Sequence, residues 1–272
     1  MTHGPGSVAG AIRAALLTAD PAAKAMAARK VARDWRLGRL AAAFDCPMPE
    51  RPARPDVPEL LPPNRMPRRG RGLSERGRIA LWHALAHIEF VAIDLALDMA
   101  GRFGGEMGPR FVADFLAIAA DEAMHFVLID RHLRSFGGCY GALPAHDGLW
   151  ESAEATRHDV AARLAVVPMV LEARGLDVTP ATMARVQAAG DTRGAAILQR
   201  ILDDEIRHVR VGASHFESCV QARQVDGGEL WKSLVVRHFR GAIKPPFNDS
   251  ARSAAGLSRE WYAVVASEKT AS

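Results

Sequence analysis

Asp121-Glu122-Ala123-Met124-His125 and Asp204-Glu205-Ile206-Arg207-His208 are two copies of one pattern, Asp-Glu-x-x-His, set 83 residues apart. Helix positions three apart share a face, so each copy presents a carboxylate beside an imidazole. Acidic residues and histidines meet by chance on many helix surfaces, so the neighbours decide. Around Glu122 the residues at helical spacing are Phe115, Ile118, Ala119, Phe126 and Ile129, and around Glu205 they are Leu198, Ile201, Leu202, Val209 and Gly212. Both pairs therefore project from apolar, core-facing stripes. A buried carboxylate neutralises, finds a cation or ligates a metal, because an unpaired charge is too costly to bury.

Two further glutamates sit on apolar stripes. Glu89 lies among Trp82, Leu85, Ala86, Ala92, Ile93 and Ala96, and Glu172 among Ala165, Pro168, Met169 and Leu176. Glu89 precedes Glu122 by 33 residues, and Glu172 precedes Glu205 by 33. A repeated Glu…Glu-x-x-His pattern is what a duplicated helical hairpin leaves. It supplies four carboxylates and two imidazoles on four helices, the ligand set of carboxylate-bridged dimetal bundles.

The rest of the chain reads as helix and arm, with no sustained β alternation, so the fold class is all-α. Residues 8–42 are expected to be helical, with Asp20 and Pro21 as N-cap and first position. Eight of the sixteen prolines fall between Pro47 and Pro67, which predicts an extended arm. Its Val57, Leu60, Leu61 and Met66 are expected to lie on the core. Ser74 is expected to cap a helix to about Arg102, stopped by Gly104–Gly105, and Pro109 to open one running to about Phe136. A third helix should span about Trp150–Arg174, kinked at Pro168 and stopped at Gly175. Thr179–Pro180 should open a short connector, and Asp191 should cap a fourth long helix to about Arg223. The predicted organisation is a helical N-terminal extension (1–46), a proline-rich basic arm (47–73), a four-helix bundle (74–223) and a C-terminal tail packing on it (224–272).

Composition agrees with close-packed helices, since alanine is abundant and aromatic residues are only 6%. No stretch approaches roughly 18 uninterrupted apolar residues, and Met1–Asp20 lacks the pattern of a secretory leader, so a cytoplasmic location and no membrane partner are expected. Cys46, Cys139 and Cys219 are odd in number and far apart, which suggests plain thiols. Lys24–Arg71 holds 12 Lys/Arg against 5 Asp/Glu, leaving the remainder net negative although the chain totals +4. Such a local basic stretch either meets a polyanion such as RNA or lies solvated against its own acidic core.

The two motif copies on four long helices resemble the ferritin-like superfamily of di-iron and di-manganese proteins. Within it, the proline arm ending Met66-Pro67-Arg68-Arg69, together with His87-Ile88-Glu89 and Pro246-Phe247-Asn248, is similar to an uncharacterised bacterial family related to tRNA isopentenyladenosine hydroxylases. The resemblance implies that Glu89, Glu122 and His125 mainly serve one metal, and Glu172, Glu205 and His208 the other, with Glu122 and Glu205 as bridges. The cofactor it implies is two iron ions, with manganese or a mixed iron–manganese pair as the alternative. Dioxygen or peroxide and an organic substrate would then be the partners, in a monomer or homodimer. RNA is a candidate substrate, met by Arg65, Arg68, Arg69 and Arg71. An oxidoreductase or monooxygenase is the leading expectation, and a non-enzymatic iron-handling protein the alternative.

Asp121 and Asp204 are candidates to accept the second ring N–H of the ligand histidines, or else stand exposed. His83 and His87 point away from the Glu89 face at 100° per residue and are expected at the surface or in a partner contact. Tyr140, in the loop after the second helix, is expected to pack that loop.

Overall fold

The structure, a computed structural model, describes residues 6–67 and 74–268, excluding the side chains of 264–268. It is all-α, and among the described residues strand pairing is confined to two isolated bridges. The chain divides into two compact units, Met1–Trp150 and Glu151–Ser272.

The first unit contains α1 (Val8–Leu16), α2 (Pro21–Arg36), α3 (Glu75–Met107) and α4 (Pro109–Ser135). Asp20 caps α2 by accepting from Ala23 N at 2.8 Å, and Ser74 caps α3 by accepting from Gly77 N at 3.2 Å. Helix α3 pairs along its length with α4, while α1 lies on α3 and α2 on α4. The Gly104–Gly105 pair does not stop α3, which runs on to Met107 and ends at Gly108 with φ 88°. The two glycines serve packing instead: a Cβ at Gly104 would lie 2.6 Å from Val112 Cγ2 and 2.7 Å from the Phe44 ring.

By length and composition α3 is long and apolar enough to cross a membrane, yet 67% of its most apolar window is buried inside the fold. That burial marks it as the core helix. One polar cluster is buried with it. Lys24 Nζ on α2 donates to Asp94 Oδ1 of α3 at 2.6 Å, to Ala53 O at 2.9 Å and to Leu16 O at 3.3 Å. Arg54 of the proline arm pairs with the other oxygen of Asp94. Burial draws Lys24 down and Asp94 up toward their neutral forms, and their mutual attraction opposes both shifts.

The proline arm follows the core as expected. Leu61 and Met66 are half-buried and Val57 and Leu60 exposed, while Met48, Pro52 and Pro58 are buried. Backbone bonds from Ala53 N to Leu16 O (2.9 Å) and from Leu61 N to Ala145 O (2.8 Å) fix its course.

Helix α5 (Gly148–Ala155) carries the chain into the second unit. There the expected third helix is broken at 156–159 and restarts as α6 (Val160–Val166), capped by Asp159. A π turn (Val167–Glu172) leads into α7 (Ala173–Ala188), which passes through Gly175 and Pro180 without stopping. Thr179–Pro180 therefore opens no separate connector. Asp191 caps α8 (Thr192–Arg223), accepting from Gly194 N at 2.7 Å, and α8 packs on α7, α6 and the π turn.

Residues 224–268 hold three helices, α9 (Gly227–His238), α10 (Asp249–Ala254) and α11 (Arg259–Glu268). Helix α10 is tied to α7 by a buried bidentate pair, Arg252 Nε and Nη2 to Asp177 at 2.8 and 2.7 Å. Asn248 caps α10 and donates from its side chain to Leu176 O at 3.1 Å. The Pro246-Phe247-Asn248 motif is thus a fastener of the second unit.

Candidate metal centre

Helices α3 and α4 place Glu89, Glu122 and His125 together inside the first unit. Each offers a ligand atom, and these atoms lie within 4.8 Å of one another. His125 Nδ1 is 3.4 Å from Glu89 Oε2 and 3.3 Å from Glu122 Oε2. All three side chains are buried, His125 completely. The carboxyl of Glu89 is pushed up to about 8, chiefly by loss of water, with His125 opposing the shift and the nearby Glu122 adding to it. Burial thus penalises the bare carboxylate of Glu89. A proton or a bound cation relieves that cost.

Phe90 follows Glu89 in sequence and Phe126 follows His125, and the two rings pack at 5.5 Å between centroids. Tyr140 closes against both at 5.5 and 5.3 Å. Its hydroxyl is 2.9 Å from His87 Nδ1, and His87 Nε2 is 3.2 Å from the carbonyl of His146. A carbonyl only accepts, so Nε2 carries the ring proton and Nδ1 accepts from Tyr140. Burial lowers His87 to about 4, which keeps it neutral in this role. His83 Nε2 accepts from Gly141 N at 3.0 Å. His83 and His87 are thus buried tethers of the 137–146 loop, not surface residues. Helical angle alone placed them off the Glu89 face, but a loop packed over that side covers them.

In the second unit, Glu205 and His208 share one face of α8, with His208 Nδ1 3.5 Å from Glu205 Oε1 and both side chains buried. Glu172 is the last residue of the π turn and is half-buried. Pro168 lacks an N–H, and its ring would collide with the carbonyl four residues back in a regular helix. The turn widens there, and π turns are frequent at functional positions. Gly212, two turns after Glu205 on α8, makes room for the ring: a Cβ there would lie 2.4 Å from Pro168 Cβ. Gly→Ala in a helix interior ordinarily gains about 1 kcal/mol. Here overpacking dominates, because the nearest atom is the Cβ of Pro168, and Gly212→Ala is expected to lose about 1–3 kcal/mol in urea unfolding.

Asp204 lies 3.4 Å from Arg207 and 3.9 Å from Arg200 on α8, and Asp121 lies at the edge of a groove between α2 and α4. Arg65 is exposed at the end of a short 3-10 turn (Pro63–Arg65), whereas Arg68, Arg69 and Arg71 lie outside the described residues. Two features escaped sequence reading, the Lys24–Asp94–Arg54 cluster and the groove. The groove had a readable signal in the spacing of Arg29, Arg33 and Arg36.

Among known proteins, the chain is similar to an uncharacterised protein of Haemophilus influenzae, 41% identical over 212 residues that cover 75% of this chain and 73% of the relative. No solved structure matches it significantly. A family profile described as "Protein of unknown function (DUF455)" matches residues 17–263, and the chain belongs to that family.

Proposed function

We propose that this chain is a dimetal carboxylate protein of ferritin-like architecture. The first unit supplies Glu89, Glu122 and His125, and the second supplies Glu172, Glu205 and His208. The observation that carries the reading is the buried Glu89–Glu122–His125 cluster, whose ligand atoms lie within 4.8 Å of one another. The equal 33-residue spacings extend it to the second unit. Carboxylate-rich sites with few imidazoles suit iron or manganese better than soft metals. Two such ions would supply redox chemistry with dioxygen or peroxide, and the protein would act as an oxidoreductase on an organic substrate.

The chain's own residues have plain roles in this reading. Carboxylates would hold the ions and neutralise their charge, and burial of Glu89, Glu122 and His125 keeps water from the first unit's ligands. If the resemblance to tRNA hydroxylases extends to function, the substrate would be a modified RNA base, with Arg65, Arg68, Arg69 and Arg71 meeting its phosphates. Oxygen uptake by Fe(II)-loaded protein tests the oxidoreductase reading, beside the nucleoside profile of tRNA from cells lacking the protein. Uptake that disappears in Glu205→Ala, together with a lost modified nucleoside, is the expected result. Iron that is bound and oxidised in large excess with no organic product would instead indicate iron handling.

A further inference from the structure

Helices α2 and α4 leave between them an open groove of about 1110 Å³. Its α2 wall carries Arg29, Lys30, Arg33 and Arg36 with Trp35, and its α4 wall carries Arg110, an alanine floor and, at the far end, Asp121. Five cations thus face one carboxylate. Lys30 and Arg33 lie 2.6 and 3.5 Å from Asp34, and Arg110 lies 3.9 Å from Asp114. Arg29 and Arg36 have no ion-pair partner among the described residues. Seven residues apart on one helix face, they stand roughly 10 Å apart along α2.

A second feature adds to this charge. The groove begins at Pro109 and Arg110, the first turn of α4, and the N-cap Gly108 offers no side-chain acceptor to that turn. The positive end of a 27-residue helix therefore lies at the groove beside Arg110. Guanidinium forks match phosphate oxygens bidentately, and Trp35 presents a ring among them on which a base can stack. From Pro109 to Asp121 the groove follows α4 for roughly 18 Å, ending one residue before Glu122.

We propose that the α2–α4 groove binds single-stranded nucleic acid. Phosphates rest on Arg29, Arg33, Arg36 and the Arg110 end of α4, and a base stacks on Trp35. An acidic protein segment would satisfy the cations and their forks but would leave the indole without a base to stack on it. The site is separate from the 65–71 arginines and stands whether or not the chain holds metal.

The test is fluorescence anisotropy of a labelled 12-residue oligouridylate with the full-length, metal-free protein at 50 and 200 mM KCl. Four phosphate contacts on a single strand give a slope of about −3 in log affinity against log salt, a loss of roughly 50-fold across that range. Arg29→Ala/Arg36→Ala, both exposed, should halve the slope and weaken binding at 50 mM by about tenfold or more, with an unchanged melting curve. The four-arginine variant of residues 65, 68, 69 and 71 separates the sites, because it should leave these contacts intact. Binding that is unaffected by the double variant overturns the proposal. So does binding lost only in the four-arginine variant, or poly-glutamate of equal length competing as well as the oligonucleotide does.

Discussion

Adding Fe(II) to the metal-free protein is expected to raise its melting temperature by roughly 5–10 °C at a free metal concentration about a hundred times the dissociation constant. Binding to the folded state alone contributes about 2.7 kcal/mol under that condition. A chain of this size shifts by about 2–4 °C per kcal/mol. The chemistry behind the gain is the crowding of Glu89 and Glu122 at one His125 in a buried site. Because the Glu89 carboxyl is pushed from 4.5 to about 8, the folded metal-free state keeps a proton that the unfolded chain has already released between those values. The stabilisation from that proton is complete below about 4.5 and is lost as pH rises through about 8. Metal replaces the proton, so its affinity should rise over the same interval, and the melting-temperature gain should be larger at pH 7.5 than at pH 5.5. Parallel melting curves at the two pH values, with and without Fe(II), check both statements.

Lys24→Ala is expected to be the most damaging single substitution away from the ligands. Asp94 is fully buried and would lose its 2.6 Å partner, leaving only Arg54 beside it. Removing one member of a buried ion pair costs about 3–5 kcal/mol, because the remaining charge stays in low dielectric. Arg54 offsets part of that, which places the expected loss near 3 kcal/mol, or roughly 10 °C in melting temperature. Lys24→Met combined with Asp94→Leu should recover part of the stability, since it removes both members of the fully buried pair and leaves Arg54, which is partly exposed, with Asp147 at 3.7 Å. Chemical unfolding of the two variants beside wild type measures the difference. A full loss in the double variant would show that the carbonyls of Leu16 and Ala53 need the ammonium more than Asp94 does.

Local signals carried much of the fold. Asp20, Ser74, Pro109 and Asp191 all stand where cap chemistry requires, because a capping oxygen or a missing N–H acts within one turn and needs no distant partner. The glycines and prolines misled for the opposite reason. Gly104 sits inside α3 because Phe44 and Val112 approach it, and Gly212 inside α8 because of Pro168, contacts that no window of sequence reveals. Pro180 is tolerated within α7, and Pro168 widens its turn where a kink was expected. Helix α9 was hidden because its stripe around Trp231, Leu234 and Val235 is short, although Asp226 is an ordinary cap.

At the site, the apolar neighbours of Glu89, Glu122 and His125 were enough to place those residues inside, since helical periodicity reports burial directly. The surroundings of the cluster were not legible. The His87–Tyr140 tether depends on how the 137–146 loop folds back over α3, a long-range closure set by tertiary packing.

The central claim is that Glu89, Glu122, His125, Glu172, Glu205 and His208 hold metal, and elemental analysis of protein purified without chelator tests it most directly. About two iron or manganese ions per chain are expected in the wild type. In Glu122→Ala and in Glu205→Ala the content should fall well below that, with the helical circular dichroism retained. Wild-type protein that carries no transition metal and takes up none when Fe(II) is supplied, or variants that keep the full content, would contradict it.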